Sequence, residues 1–382
     1  DHRDLHSFPT RRSSDLLGAI HDLFKPWSYF IDTTYAVGPR ECHDPSHPIG
    51  RNEDIAWKIR LSDYSRNVFG LFGSECGREW ALPHSDFFEG LVGVSGHYFH
   101  QLKPEELDAQ AIPFFEMVYH DCQVAYGKYG YKAEEAAEYV AHHVLCARPL
   151  HYHSFPDHLY WRSGPGPDRK WNAQSVYTRS DNGWAEGLHP YDIFIKNTHE
   201  VLGPLNYVTA HQRLTTFEYL TADRTVRRAI YGQGDDATKV TVNFGPADAE
   251  VVSEIGGRTV LPPWGFLVES PHFVAFHARF WNGQDYGDGA LFTLRPTDEK
   301  PLKDSAVIRV FHAFGAATFF WQGKAYEIKR EEVIEIKPDG SLSITTDARK
   351  WTLRDGWLPG RYTVVARVDN LQVDDSSRLS VL

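Results

Sequence analysis

The sequence predicts an α/β region followed by an all-β region. Two observations carry this. Up to about residue 205, short apolar runs alternate with helical patterns, as in a parallel sheet with crossover helices. From Asn206 onward the apolar residues recur at period two and are broken by hairpin-like turns, as in antiparallel sheets.

Asp1–Leu16 (DHRDLHSFPTRRSSDL) stands outside this pattern. It reads as a translated sequencing adapter, matched over sixteen consecutive codons. Residues 1–16 are therefore expected to be an artificial, disordered lead with no part in the fold. The native chain is expected to start near Leu17, with its true beginning upstream.

The elements follow in order. Trp27–Ala36 (WSYFIDTTYA) is a short strand-like run. Asn52–Asn67 sets Ile55, Ile59 and Leu61 among charges and reads as a helix. Val68–Glu75 (VFGLFGSE) and Ile112–Asp121 (IPFFEMVYHD) read as further strands. Lys132–Ala147 is an amphipathic helix, with Ala137, Val140, Ala141, Val144 and Leu145 at helical spacing. Tyr191–Leu205 closes a first domain over 17–205.

A β-sandwich is expected over 206–296. Thr225–Tyr231, the turn Gly232–Asp236 and Thr238–Phe244 form a hairpin, continued by Arg258–Leu261, Gly265–Glu269, Val274–Phe280 and Ala290–Leu294. Trp281–Asp288 reads as a hairpin connection, since its acids lack EF-hand spacing. Thr297–Asp304 is a polar linker, and 297–382 reads as a small Ig-like module with strands at Ala306–Phe311, Ala325–Ile328, Val333–Ile336 and Gly360–Val368.

Composition narrows the function. The adapter-like stretch carries three Asp and three Arg, so the net charge of −11 belongs to the rest. An acidic chain is a poor nucleic-acid binder, and no nucleic-acid partner is expected. No apolar run approaches the ~20 residues that span a bilayer, so no membrane partner is expected either. Cys42, Cys76, Cys122 and Cys146 form no CxxC pair, which excludes a zinc ribbon or a thioredoxin-like motif. Aromatic residues make up 14% of the chain, and 14 of its 20 His precede residue 160. Such residues suit sugar rings and their hydroxyls, or simply fill a core. Neither G-x-S-x-G, nor a P-loop, nor G-x-G-x-x-G follows a strand, which disfavours serine-enzyme and nucleotide chemistry.

Three acidic residues end apolar runs: Asp32, Glu75 and Asp121, the last beside His120. In parallel α/β folds the strand C-termini carry function, and a charge there must be paired or solvated in a cleft. Capping of the next helix is the alternative use. Two carboxylates facing each other across a cleft suit glycosidic cleavage. Asp32 and Glu75 are the natural pair, with Asp32 ionised as nucleophile and Glu75 in an apolar setting as the acid. The rival pair is Glu75 with Asp121. Glu41, His43, His47, Arg51, Arg78, Trp80, His84, Asp86, His120, Asp121, His151 and His153 are expected to line the substrate site. His43, Asp44 and His47 could hold a divalent ion, but Pro45 and Pro48 make the segment a loop. Neither a metal nor another cofactor is expected.

Longer stretches carry a resemblance. YFIDTTYA, ECHDPSHPIGR, FGLFGSECGREWALPHSDFFEGL and IPFFEMVYHD resemble the later half of a (β/α)8 sugar-hydrolase barrel. The families are glycoside hydrolase family 101, the endo-α-N-acetylgalactosaminidases, and a related bacterial family. TADRTVRRAIYG, KVTVNFG and VLPPWGFLVESPHFVAFHARFWNG are similar to the β-domain after such barrels. The resemblance spans Leu17–Pro296 and implies the C-terminal part of a (β/α)8 barrel, a carbohydrate substrate, and a retaining mechanism with Asp32 as nucleophile and Glu75 as acid/base. Length and loops depart from family 101, so galactosamine specificity is not carried over. A partial barrel leaves an unpaired edge and uncovered apolar surface, so the chain as written is expected to be insoluble or inactive. Two alternatives remain: a non-catalytic carbohydrate-binding barrel, and a metal-dependent hydrolase using His43, His47 and His120.

Overall fold

The computed structural model describes residues 11–91, 112–127, 136–152, 176–179, 181–185, 190–328 and 331–346, with the pairs 367–368 and 371–372. Four strands form a parallel sheet in chain order: β1 (Ser28–Ile31), β2 (Leu71–Gly77), β3 (Phe87–Leu91) and β4 (Val124–Tyr126). Among the described residues this sheet is open rather than closed into a barrel.

Helices α1 (Arg11–Phe24) and α2 (Arg51–Phe69) cover one face. Helix α1 takes in Arg11–Leu16, expected to be part of a disordered lead. Leu16 is 61% exposed, whereas Leu17 is 5% exposed and packs against Leu61 and Phe69. Between the sheet and α2 lie Tyr35, Phe72, Ala81 and Phe88. The Tyr35 hydroxyl shares hydrogen bonds with Ser62 Oγ (2.5 Å) and Ser85 Oγ (2.6 Å), so the one polar atom of that core is satisfied twice.

The expected strand at Ile112–Asp121 is instead a helix, α3 (Phe114–Tyr119). Pro113 stands at its N-cap. Helical spacing puts the Phe115 and Tyr119 rings 5.3 Å apart. Glu116 is buried in an ion pair with Arg148. A six-residue apolar run is too short for its period to decide between helix and strand.

Helices α4 (Ala136–Leu145) and α5 (Pro190–Thr209) pack on the second, antiparallel sheet through Val140, Val144, Phe194, Val201 and Leu205. That sheet contains β5 (Leu214–Tyr219), β6 (Val226–Tyr231), β7 (Thr238–Asn243), β10 (Phe266–Ser270), β11 (Phe273–Trp281), β12 (Gln284–Pro296), β13 (Val307–Phe314), β16 (Glu331–Ile336) and β17 (Leu342–Thr346). A hairpin of β8 (Ala249–Ser253) and β9 (Gly257–Leu261) joins it through β11. Strands β14 (Thr318–Trp321) and β15 (Lys324–Glu327) pair with each other.

The boundary expected at 297 falls inside this one sheet. Strand β12 pairs with β13 through Arg295↔Arg309 and Pro296↔Ile308, and β13 pairs on with β16. The cause is shared burial: Ile308 and Val310 enter the same core as Phe292 and Leu294. The boundary expected near 205 falls within α5, which runs to Thr209. Most of 347–382 lies outside the described residues.

Candidate active site

The two faces of the parallel sheet can be told apart. Tyr29 stacks on Phe69 of α2 at 4.3 Å, so it faces the helices. Successive strand residues alternate faces, so Phe30 faces the other way and stacks with Phe87 at 6.4 Å. Phe30, Gly73, Phe87 and Val124 are register partners across four strands. A side chain at position 73 has no room, because a Cβ there would lie 2.1 Å from the Phe87 ring.

The next row on this face is acidic. Glu75, Glu89 and Tyr126 are register partners on β2, β3 and β4. Ile31 pairs with Ser74, and Asp32 follows it in the turn after β1, exposed, with its Oδ1 accepting from the Thr33 N–H at 2.9 Å. Tyr126 ends β4, Asp32 follows the last residue of β1, Glu75 stands two residues before the end of β2, and Glu89 is the middle residue of β3. Neighbouring strands lie about 4.8 Å apart. The backbones of Asp32 and Glu75 are thus one strand apart, and those of Asp32 and Glu89 two strands apart.

Both central strands turn just beyond the carboxylates. Cys76 has φ 59° and Gly90 φ 65°. A left-handed cysteine is uncommon and mildly strained, as residues at working sites often are. The turn breaks the alternation, so Gly77 faces Phe88 on the helix side, where a Cβ would come within 2.4 Å of the ring.

Glu89 is 5% exposed and its Oε1 lies 3.2 Å from His151 Nδ1. The His151 ring meets the Tyr126 ring edge-on at 5.7 Å. The segment carrying His151 is brought beside β4 by the Gly127 N–H, which donates to Pro149 O at 2.8 Å. Burial, and then the charge of Glu89, push the Tyr126 hydroxyl up to about 12. Burial raises the Cys76 thiol, Glu89 and Asp32 raise it further, and Arg78 opposes them. These side chains therefore share one electrostatic neighbourhood.

The structure separates the other expected residues. Arg78 donates through Nε to Tyr35 O (2.5 Å) and through Nη2 to Ala36 O (3.4 Å), clamping the loop after β1. Trp80 packs edge-on against Tyr35 at 5.4 Å in the helix-side core. His84 pairs with Asp63 at 2.7 Å. Asp86 accepts from Arg66 (2.8 Å) and from the Phe72 N–H (2.9 Å), near the strand ends opposite the acidic row.

Glu41, His43 and His47 belong to the connection between β1 and α2, and Arg51 opens α2. Arg51 pairs with Glu41 at 3.0 Å and His43 lies 3.8 Å from Glu41. His120 and Asp121 follow α3 and precede β4, so they too stand at the opposite end from the row. His120 Nδ1 is 2.9 Å from Gln212 O, and Asp121 accepts from Arg213 at 3.0 Å. They join the parallel region to β5 rather than facing Glu75. His153 lies outside the described residues.

Among the described residues no three His, Cys, Asp or Glu are grouped to hold a metal ion. His43 and His47 stand apart from His120 at the far strand ends. Glu89 and Tyr126 were missed by sequence reasoning. Their signal was present, since FFEG repeats the pattern of an apolar run ending in an acid, as in FGSE.

No family model matches the chain, and no curated protein matches it. Solved structures do. An α-N-acetylgalactosaminidase from Bifidobacterium bifidum shares 18% identity over 61% of this chain and 31% of its own, with a TM-score of 0.40. A cyclic α-maltosyl-(1→6)-maltose hydrolase from Arthrobacter globiformis shares 13% identity over 68% of this chain and 58% of its own, at 0.36. A maltogenic amylase from S. marinus shares 11% identity over 72% of this chain and 39% of its own, at 0.39. The chain spans about a third of the length of the Bifidobacterium enzyme. Likeness at this level assigns neither a family nor an activity. Among the described residues no helix is long and apolar enough to cross a membrane.

Proposed function

We propose that this chain carries the carboxylate pair of a retaining glycoside hydrolase, with Asp32 as nucleophile and Glu75 as acid/base, acting on a carbohydrate substrate. The observation that supports it is the paired Glu75 and Glu89 on β2 and β3, with Asp32 just past the end of the neighbouring β1. Side chains from neighbouring strands can reach the roughly 5–5.5 Å carboxyl separation that a retaining mechanism needs. Asp32 is the exposed member and Glu75 the half-buried one, a division that suits a charged nucleophile and a proton donor.

In this reading Glu75 protonates the leaving oxygen as Asp32 attacks the anomeric carbon. A glycosyl ester forms on Asp32. Glu75 then takes a proton from water as that water attacks the ester, which frees Asp32. The Glu89–His151 pair and Tyr126 border the same row and offer partners for sugar hydroxyls. The four parallel strands do not close a barrel among the described residues, so turnover is expected to be slow.

Binding is therefore the sounder test. An iminosugar carries a positive charge where the transition state does, and it needs only the two carboxylates. The full chain is titrated calorimetrically with a panel of iminosugars of differing ring configuration. At least one is expected to bind, at least tenfold more weakly in Asp32→Asn and Glu75→Gln, and unchanged in Asp121→Asn. No binding across the panel, or equal binding by both site variants, would overturn the reading.

A further inference from the structure

The connection between β1 and α2 holds a thiol, an imidazole and a carboxylate in sequence. Cys42 Sγ lies 3.2 Å from His47 Nδ1, and His47 Nε2 lies 3.5 Å from Asp44 Oδ2. Backbone structure holds the three together. Cys42 and Ile49 exchange two hydrogen bonds, of 2.9 and 3.0 Å, closing the loop at its base. The His47 N–H donates to Asp44 O at 3.0 Å. The Ser46 N–H and hydroxyl both donate to Asp44 Oδ1, at 2.8 and 2.7 Å, which fixes that oxygen and turns Oδ2 toward the imidazole. Pro45 and Pro48, with their locked φ, flank Ser46 and His47.

A thiol beside an imidazole that is itself oriented by a carboxylate has the parts of an activated sulfur nucleophile. The thiolate is the reactive form, and a neighbouring base supplies it. The other three cysteines have the opposite surroundings. Burial pushes Cys146 up to about 12. Burial and nearby carboxylates raise Cys76 and Cys122. Cys42 is half-buried and within reach of a small reagent.

We propose that Cys42 is a modification site: a nucleophilic thiol that exchanges with low-molecular-weight disulfides, with His47 as its base and Asp44 orienting the imidazole. His47 takes the thiol proton, and the Cys42 sulfur attacks one sulfur of the disulfide. The reagent's S–S bond breaks as the new S–S bond forms. The other half leaves as a thiolate and takes the proton from His47, so the electron pairs balance without a further oxidant. The adduct would sit on the connection that leaves the strand end carrying Asp32. This inference is independent of glycosidic cleavage.

The test uses the full chain with glutathione disulfide at pH 7, with each modified cysteine identified and timed by peptide mass spectrometry. Cys122 is the internal reference, being exposed. Cys42 is expected to react at least tenfold faster than Cys122, and to lose that advantage in His47→Ala. Asp44→Asn is expected to slow it by a smaller factor. Loss of the loop fold would expose Cys42 and speed its reaction, so slowing in His47→Ala cannot come from unfolding. Faster reaction at Cys122 than at Cys42, or an unchanged Cys42 rate in His47→Ala, would overturn the proposal.

Discussion

Three histidines sealed in the core should make this protein sensitive to mild acid. His143 on α4 lies 2.7 Å from Tyr139 O through Nδ1. His277 stands on β11, and His312 on β13 is stacked on Phe292 at 4.4 Å with Nε2 2.9 Å from Phe314 O. Burial is the leading cause that pushes each from 6.5 down to about 4. A histidine with a depressed folded pKa takes up a proton on unfolding. Its contribution is intact above pH 6.5 and is lost as the pH falls toward 4. The full shift corresponds to about 3 kcal/mol per histidine, of which a little under half is lost by pH 5.5. Three such groups remove about 4 kcal/mol between pH 7.5 and 5.5, a large part of a typical 5–15 kcal/mol. Glu269, whose carboxyl burial raises, works the other way, but it is one group against three. Urea unfolding followed by tryptophan fluorescence at both pH values measures the loss. His312→Phe should lose about a third less stability than the wild type over that interval, whatever its stability at pH 7.5. A wild-type stability flat to within about 1 kcal/mol, or a variant with the wild-type pH dependence, would refute the reasoning.

Two further outcomes follow from packing. Gly73→Ala drives a methyl into the Phe87 ring, which is stacked with Phe30, and should cost about 1–3 kcal/mol by urea denaturation; an unchanged midpoint would show that the rings yield freely. Glu116→Ala removes the carboxylate paired with the buried Arg148 guanidinium and should cost about 3–5 kcal/mol, while Glu116→Leu with Arg148→Met should recover most of it; a double variant as unstable as the single one would contradict this.

The division into a parallel and an antiparallel region was legible because period two and period 3.6 differ over long runs. The expected strands Thr225–Tyr231, Thr238–Phe244 and Val274–Phe280 correspond to β6, β7 and β11, each shifted by a residue or less at most ends. Short elements were not legible. Strand β4 has three residues and β3 has five, too few to display a period, so Tyr126 and Glu89 went unseen. Helix α3 carries FFEMVY, apolar enough for a strand, and its one charged residue, Glu116, is buried against Arg148. That partner lies 32 residues away, beyond any local pattern. The pairing of Glu75 with Glu89 is equally nonlocal, being a property of the register between two strands.

Register is also what gives the site its shape. A slip by one residue would turn Glu89 to the helix face and Phe88 to the open one. Two interlocks oppose such a slip, one on each face. On the open face only glycine at position 73 admits the Phe87 ring, so β2 and β3 fit in one alignment. On the helix face Tyr35 meets Phe72 and Phe88 edge-on, at 6.4 and 5.8 Å, while its hydroxyl is held by Ser62 and Ser85. The same tyrosine lends its carbonyl to Arg78. Tyr35 thus ties the loop after Asp32 to the two strands that carry Glu75 and Glu89. The acidic row is therefore positioned from beneath by apolar side chains and a glycine, and the residues that look most chemical in the sequence, Arg78, His84 and Asp86, serve chiefly to hold that scaffold in place.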